Sequence, residues 1–136
     1  MKPRLRVTSV TIAAAKPREL AQFYGRLLDL EVTTVEPSRP GYPQEDGWAQ
    51  IRPPAGLGMP TLNFEWESGY VPPSWPSVPG EQQLQEHLDI AVDDLDAAVA
   101  WAQDAGATLA DFQPQDGVRV LFDPDGHPFC LFASGH

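Results

Sequence analysis

Apolar residues along the chain follow two spacings, and these alternate in a fixed order. Helical spacing places one apolar stripe on residues 17–28 and another on residues 94–105. Pro17 suits a first helical turn, because its missing N–H would have no partner there, and Gly106 ends the second helix. Strand-like segments follow each helix, and they are 31–35, 48–52 and 61–67 in the first half and 108–112, 118–122 and 128–132 in the second. The pattern predicts an α+β chain.

The two halves share a weak internal repeat. Residues 9–30 and 86–107 both read as a short apolar strand, a charged turn and an amphipathic helix. An offset of 77 aligns the two segments and places the aromatic residues Tyr24 and Trp101 at the same helix position. The repeat therefore predicts that one structural unit occurs twice.

Each predicted unit is a strand, a helix and three strands, a βαβββ module. Module one covers about residues 5–67 and module two about residues 86–133, with a proline-rich connector at 68–85. A half of this size is marginal as an independent fold, because it buries too little surface. We therefore expect one domain over residues 1–136, with a continuous core.

Charge and cysteine content narrow the environment. The formal net charge is −10, and six of the nine cationic residues lie in the first 26 positions. A protein with this negative charge repels the phosphate backbone of nucleic acids and anionic lipids. We therefore expect neither nucleic acid nor a membrane as a partner. The negative charge would attract cations, but the interpretation we favour is that it keeps the protein soluble. The single cysteine, Cys130, and the lack of a ~20-residue apolar stretch favour a cytoplasmic protein.

Three segments carry a resemblance to a known superfamily. They are His87-Leu-Asp-Ile-Ala-Val-Asp-Asp-Leu-Asp96, Phe23-Tyr24-Gly-Arg-Leu-Leu28 and Asp123-Pro-Asp-Gly-His-Pro-Phe129. With these segments the chain resembles the vicinal oxygen chelate superfamily of glyoxalase, bleomycin-resistance and dioxygenase proteins, and most of all its uncharacterised glyoxalase-like members. The resemblance implies two βαβββ modules, a concave mixed sheet that holds a small organic ligand, and a homodimer.

The resemblance also implies a metal site that this sequence fills poorly. Metal-dependent members place one ligand on the first strand and one on the last strand of each half. The matching positions here are Val10, either Asn63 or Glu65, His87 and Cys130. Valine cannot bind a metal, so we expect no metal cofactor. If a divalent metal such as zinc is bound, His87, Glu65 and Cys130 are the predicted ligands.

Strand alternation selects the remaining ligand-binding candidates. Two aromatic residues of the connector, Tyr70 and Trp75, could form a lid. The side chains predicted to face the concavity are Trp48, Asn63, Glu65, His87, Asp89 and Cys130. Other interpretations stay open. Trp48 and Trp75 could pack the connector onto the sheet, His87 could bond a neighbouring carboxylate, and Cys130 could be a buried small hydrophobic residue.

Two functional hypotheses follow. The first is a metal-free protein that binds, and thereby sequesters, an aromatic or cationic toxic compound or antibiotic. The second is a lyase, isomerase or dioxygenase that uses a divalent metal. A metal-free enzyme with His87 as general base is a third interpretation.

Overall fold

The chain folds into two compact units, Met1–Tyr70 and the residues from 71 onward. A computed structural model describes residues 1–134. Each unit has a four-stranded mixed sheet with a helix in the order strand, helix, strand, strand, strand. The predicted α+β class and both βαβββ modules are therefore confirmed. The single domain over 1–136 stays a prediction, and its last two residues lie outside the described part of the chain.

The first unit runs through β1 (Ser9–Ala14), α1 (Pro17–Leu28), β2 (Thr34–Glu36), β3 (Trp48–Ile51) and β4 (Thr61–Trp66). The strand order in its sheet is β1-β4-β3-β2. β1 and β4 are parallel, and the other neighbouring pairs are antiparallel. Strand alternation then gives the sheet one face toward α1 and one face away from it.

The core of the first unit lies between α1 and the inner face of β4. Phe23, Tyr24, Leu62 and Phe64 are all buried, and the Tyr24 ring stacks on the Phe64 ring at a centroid distance of 5.6 Å. The helix begins at Pro17 as predicted. A stacked aromatic pair adds about 0.5–1.5 kcal/mol to the free energy gained from burying the rings.

The second unit runs through β5 (Asp89–Val92), α2 (Leu95–Ala105), β6 (Thr108–Leu109), β7 (Val118–Phe122) and β8 (Pro128–Ala133). Its strand order, β5-β8-β7-β6, repeats that of the first sheet, again with a parallel first pair. The Asp94 side chain caps α2 by accepting a hydrogen bond from the Ala97 amide at 3.0 Å. The two modules therefore have the same topology in spite of their different sequences.

The pairing registers correct the alignment of the repeat by one residue. Thr11 pairs with Asn63 in the first sheet, and Asp89 pairs with Cys130 at the matching place in the second. An offset of 78 aligns Thr11 with Asp89 and the first residue of α1, Pro17, with the first residue of α2, Leu95. The predicted offset of 77 was therefore wrong for the strand and helix that open each module. The counterpart of Tyr24 is then Ala102, and both residues are buried.

Several predicted boundaries also shift. Strand 108–112 shortens to two residues, strand 31–35 moves to Thr34–Glu36, and the strand predicted to contain His87 begins at Asp89. The connector belongs largely to the second unit. There Trp75 Nε1 donates a hydrogen bond to the Phe112 carbonyl at 3.4 Å, and the two rings are 6.2 Å apart.

None of the helices among residues 1–134 has the length and apolar character needed to cross a membrane.

Candidate functional site

The outer face of the first sheet carries a row of polar side chains. Gln50 Nε2 donates to Asn63 Oδ1 at 2.9 Å, and Asn63 Nδ2 donates to Thr11 Oγ1 at 3.3 Å. The register of the strands places the three residues side by side. Because the amide of Asn63 is fixed at both ends, the row presents its polar atoms in defined positions.

An aromatic side chain and a carboxylate lie beside this row. Trp48 and Glu65 are cross-strand partners in β3 and β4, and alternation places both on the face that also carries Gln50 and Asn63. Trp48 is half-buried and Glu65 is exposed. The sequence predicted that Glu65 shares a face with Asn63 and left the face of Trp48 open, and the pairing places Trp48 beside Glu65. Arg52, which was expected on the same strand, lies one residue beyond its end.

A charged contact orders the loop that leads into β3. Asp46 is buried and accepts hydrogen bonds from the Arg39 backbone N–H at 2.7 Å and from its Nη2 at 2.8 Å. The Arg39 guanidinium also lies 3.8 Å from the centroid of the Tyr42 ring. Hydrogen bonding to Arg39 lowers the pKa of the Asp46 carboxyl, and the same bond raises the pKa of Arg39. Sequence reasoning missed this pair because its partners lie in a loop without periodicity.

The second unit brings together three metal-ligating or titratable side chains. His87 Nε2 lies 3.0 Å from Asp89 Oδ1, and ligand atoms of His87, Asp89 and Cys130 all lie within 4.8 Å of one another. The Cys130 backbone N–H donates a hydrogen bond to the Leu88 carbonyl, and this bond extends the pairing of β5 with β8 toward His87. The predicted proximity of His87 to Cys130 is confirmed. So is the alternative that His87 bonds a neighbouring carboxylate.

The surroundings of Cys130 keep its thiol protonated. Burial raises the pKa of the Cys130 thiol, and the charge of Asp89 and a hydrogen bond to it raise the pKa further. A thiolate is the nucleophilic form of cysteine, so these surroundings oppose nucleophilic catalysis. They agree with the interpretation of Cys130 as a small, partly buried residue.

A second histidine forms part of a turn. The Asp123 side chain is buried, and its Oδ2 atom lies 2.8 Å from Nδ1 of His127. Asp123 Oδ1 also accepts the backbone N–H groups of Asp125 and His127, each at 3.0 Å. The Asp-Pro-Asp-Gly-His segment is therefore a hydrogen-bonded turn between β7 and β8, as its sequence predicts.

The candidate residues divide between the two units. Trp48, Asn63, Glu65 and Tyr70 belong to the first unit, whereas His87, Asp89, Cys130 and Trp75 belong to the second. Within each unit the sheet residues share a face as predicted. A single pocket that joins both sets stays a prediction. The lid also stays a prediction, and the contact of the Trp75 ring with Phe112 supports the packing role instead.

The corrected register changes the comparison with the ligand pattern of metal-dependent relatives. His87 lies two residues before Asp89, and Ser9 lies two residues before Thr11, so the counterpart of His87 is Ser9 and not Val10. Asn63 is likewise the counterpart of Cys130. The first module thus offers one hydroxyl and one neutral amide, and this is a poor donor set for a catalytic divalent metal.

The residues therefore do not supply the four-ligand site of the metal-dependent relatives. In the second unit, the carboxylate beside His87 and Cys130 is Asp89. The ligand set predicted from sequence used Glu65, which belongs to the other unit, and that assignment stays a prediction. We derive no chemical step through a metal.

A family model described as a glyoxalase-like domain matches residues 9–132. The chain belongs to this glyoxalase-like family. Its solved structural neighbours belong to the glyoxalase, bleomycin-resistance and dioxygenase superfamily, also called the vicinal oxygen chelate superfamily. The resemblance inferred from the three sequence segments is thus confirmed. No curated protein matches the chain.

Three solved structures illustrate the similarity of this glyoxalase-like protein to others. A glyoxalase family protein from Enterococcus faecalis shares 24% identity, with a TM-score of 0.63 over 93% of this chain and 96% of that one. TnmS3, an antibiotic binding protein from a Streptomyces strain, shares 18% identity, with a TM-score of 0.56 over 99% and 100%. The fosfomycin resistance protein FosX from Mesorhizobium loti shares 13%, with a TM-score of 0.61 over 98% and 94%. At these identities the likeness concerns the fold.

Proposed function

We propose that this glyoxalase-like protein binds a small aromatic or cationic organic molecule and sequesters it without the help of a metal. The observation that carries the proposal is the pairing of Trp48 with Glu65 on the outer face of the first sheet. A half-buried indole offers a flat apolar surface, and the adjacent carboxylate offers a negative charge. Together they suit a ligand that is flat, positively charged, or both.

The polar row gives this surface a means of orienting its ligand. Asn63 is held by Gln50 on one side and by Thr11 on the other. Small-molecule sites typically combine an aromatic wall with a small number of fixed polar groups. The row therefore supports recognition of a ligand that has one or two hydrogen-bonding groups. The formal charge of −10 adds a long-range attraction for cations.

The comparisons provide precedents on the same fold. TnmS3 is described as an antibiotic binding protein and FosX as a fosfomycin resistance protein. These descriptions concern those proteins, and they support sequestration of an antibiotic-like compound as the concrete form of the proposal. A homodimer and a cytoplasmic location are part of the same proposal.

A second candidate function is a divalent-metal-dependent lyase, isomerase or dioxygenase. The observation in its favour is the cluster of His87, Asp89 and Cys130. Elemental analysis of the purified protein separates the two candidates. Near-stoichiometric metal that is lost in a His87→Ala variant would favour the enzyme, and its absence from both proteins would favour the metal-free binder.

Binding is tested with ethidium, a flat aromatic cation, as the probe. Titration followed by fluorescence anisotropy is expected to show saturable binding to the wild-type protein. Trp48→Ala should weaken it by about 0.5–2 kcal/mol, the range for a cation–π contact. Glu65→Gln should weaken it by about 0.2–1 kcal/mol, the range for an exposed ion pair. Glu31→Gln, which removes an exposed carboxylate outside this face, serves as the matched control. Equal affinity in all four proteins would contradict the proposed site.

His87 tests whether the second module contributes to the same binding event. His87→Ala removes the imidazole that bonds Asp89, and a weaker affinity for ethidium in this variant would show that the second module takes part. The fold should survive, since His87 is exposed. An unchanged affinity would confine ligand binding to the first module.

A further inference from the structure

An open groove of about 670 Å³ lies on the second unit between β5 and the start of α2. We call it the α2 groove, and its lining includes Val92, Asp93, Asp94, Ala97, Ala98 and Trp101. Small side chains form its floor, and two aspartates form its rim. The groove is separate from the His87, Asp89 and Cys130 cluster, none of which lines it.

The aromatic residue of this groove is exposed to an unusual degree. Trp101 retains 56% of its accessible surface, whereas Phe23, which occupies the equivalent position of α1, is fully buried. The same fold thus covers this helix position in one module and leaves it open in the other. An exposed aromatic over small neighbours is a common feature of surfaces that bind a partner.

The charge of the groove defines the partner. Asp93 and Asp94 lie at its rim, Asp96 follows in the first turn of α2, and the helix contains no basic residue. A negative rim around an indole selects a segment that carries both cations and apolar side chains.

One segment of this chain has that composition. Residues 2–7 read Lys-Pro-Arg-Leu-Arg-Val, have no regular secondary structure and are exposed throughout. Leu5 and Val7 retain 89% and 83% of their accessible surface. In an extended strand, alternate side chains point to opposite sides, so Lys2, Arg4 and Arg6 share one side and Leu5 and Val7 share the other.

We propose that the basic segment 2–7 of one copy docks in the α2 groove of a second copy. Leu5 and Val7 would cover Trp101 and the alanine floor. Arg4 and Arg6 leave the opposite side of the segment, and their long side chains would fold back over its edge to the aspartate rim. Because each copy has one segment and one groove, a symmetric exchange satisfies both at once and gives a dimer. This inference gives the homodimer proposed above a specific interface, and it does not depend on which ligand the first sheet binds.

Sedimentation equilibrium of the full chain tests the exchange. Wild-type protein at micromolar concentration should show twice the chain mass of 14.9 kDa, and added salt should weaken the association. Arg4→Glu with Arg6→Glu should raise the dissociation constant by at least about tenfold, because like charges then meet across the contact. Arg4→Lys with Arg6→Lys keeps the charges and should stay dimeric.

The groove is tested by the reverse change. Asp93→Lys with Ala97→Lys should disrupt the dimer, whereas Asp111→Lys, outside the groove, should not. A mixture of the Arg4→Glu, Arg6→Glu protein with the Asp93→Lys, Ala97→Lys protein should recover a species of two chains. Circular dichroism checks that each variant is folded.

Three outcomes would overturn the inference. One is a wild-type protein that is monomeric. Another is a dimer that survives both sets of charge reversals. The third is variants that lose association separately but do not recover it when mixed.

Discussion

The turn between β7 and β8 offers the sharpest test of how a buried carboxylate stabilises the second unit. The Asp123 side chain is fully buried and accepts hydrogen bonds from two backbone amides and an imidazole, at 3.0 Å, 3.0 Å and 2.8 Å. Asp123→Ala removes a carboxylate that accepts from all three donors. Each donor then loses one hydrogen bond, while the cost of its partial burial remains.

The magnitude follows from burial. Removing the partner of a buried hydrogen-bonding group costs about 1–3 kcal/mol for each group, and removing a buried charge that others bond to costs more. Here the stranded groups belong to Asp125 and His127, which are only partly buried, so water can reach them. We therefore expect Asp123→Ala to lower the free energy of unfolding by about 2–4 kcal/mol. Asp123→Asn keeps an acceptor oxygen but loses the charge, and it should cost about 1–2 kcal/mol.

Amide hydrogen exchange of β7 and β8 is the appropriate assay, because it reports on the second unit alone. Urea unfolding followed by circular dichroism provides the corresponding global value. Asp111→Ala, which removes an exposed carboxylate from the same unit, is the matched control. A loss below about 0.5 kcal/mol for Asp123→Ala, equal to ordinary surface substitutions, would refute the reasoning.

Three further predictions concern other carboxylates. Asp94→Ala should lower the free energy of unfolding by about 1 kcal/mol through loss of the α2 cap, measured by urea unfolding, and no change would contradict the cap. The lowered pKa of Asp46 means that its bond to Arg39 stabilises the fold above the ordinary carboxyl range and is lost in acid. The stability gap between wild type and Asp46→Asn should therefore shrink below about pH 4, and a constant gap would contradict this. Asp89→Asn should lower the raised pKa of Cys130 and speed its alkylation by iodoacetamide at pH 8, followed by mass spectrometry, and an unchanged rate would exclude the influence of Asp89.

The fold was predictable from sequence because its signals are local and repeated. The helix at Pro17 began where the proline and the apolar stripe indicated. The faces of β4 followed from alternation alone, with Phe64 buried and Asn63 turned away. Boundaries were less predictable, since a two-residue strand such as β6 depends on its pairing partner and not on its own composition.

The candidate site was predictable only in part. Alternation placed Trp48 beside Glu65 and brought His87 close to Cys130. The bond from His87 to Asp89 was one of several interpretations that the sequence left open. The bond from Arg39 to Asp46 had no sequence signal at all.

The sequence by itself determined the element types, their order, the repetition of the module and the acidic character of the surface. Those properties depend on residue periodicity and composition, which are visible in short stretches of the sequence. Only the tertiary structure decided the register of the repeat, which made Ser9 and not Val10 the counterpart of His87. That alignment depends on the residue at which each strand and helix begins. These boundaries are set partly by pairing with segments that are distant in sequence, so a local pattern places them only to within a residue or two.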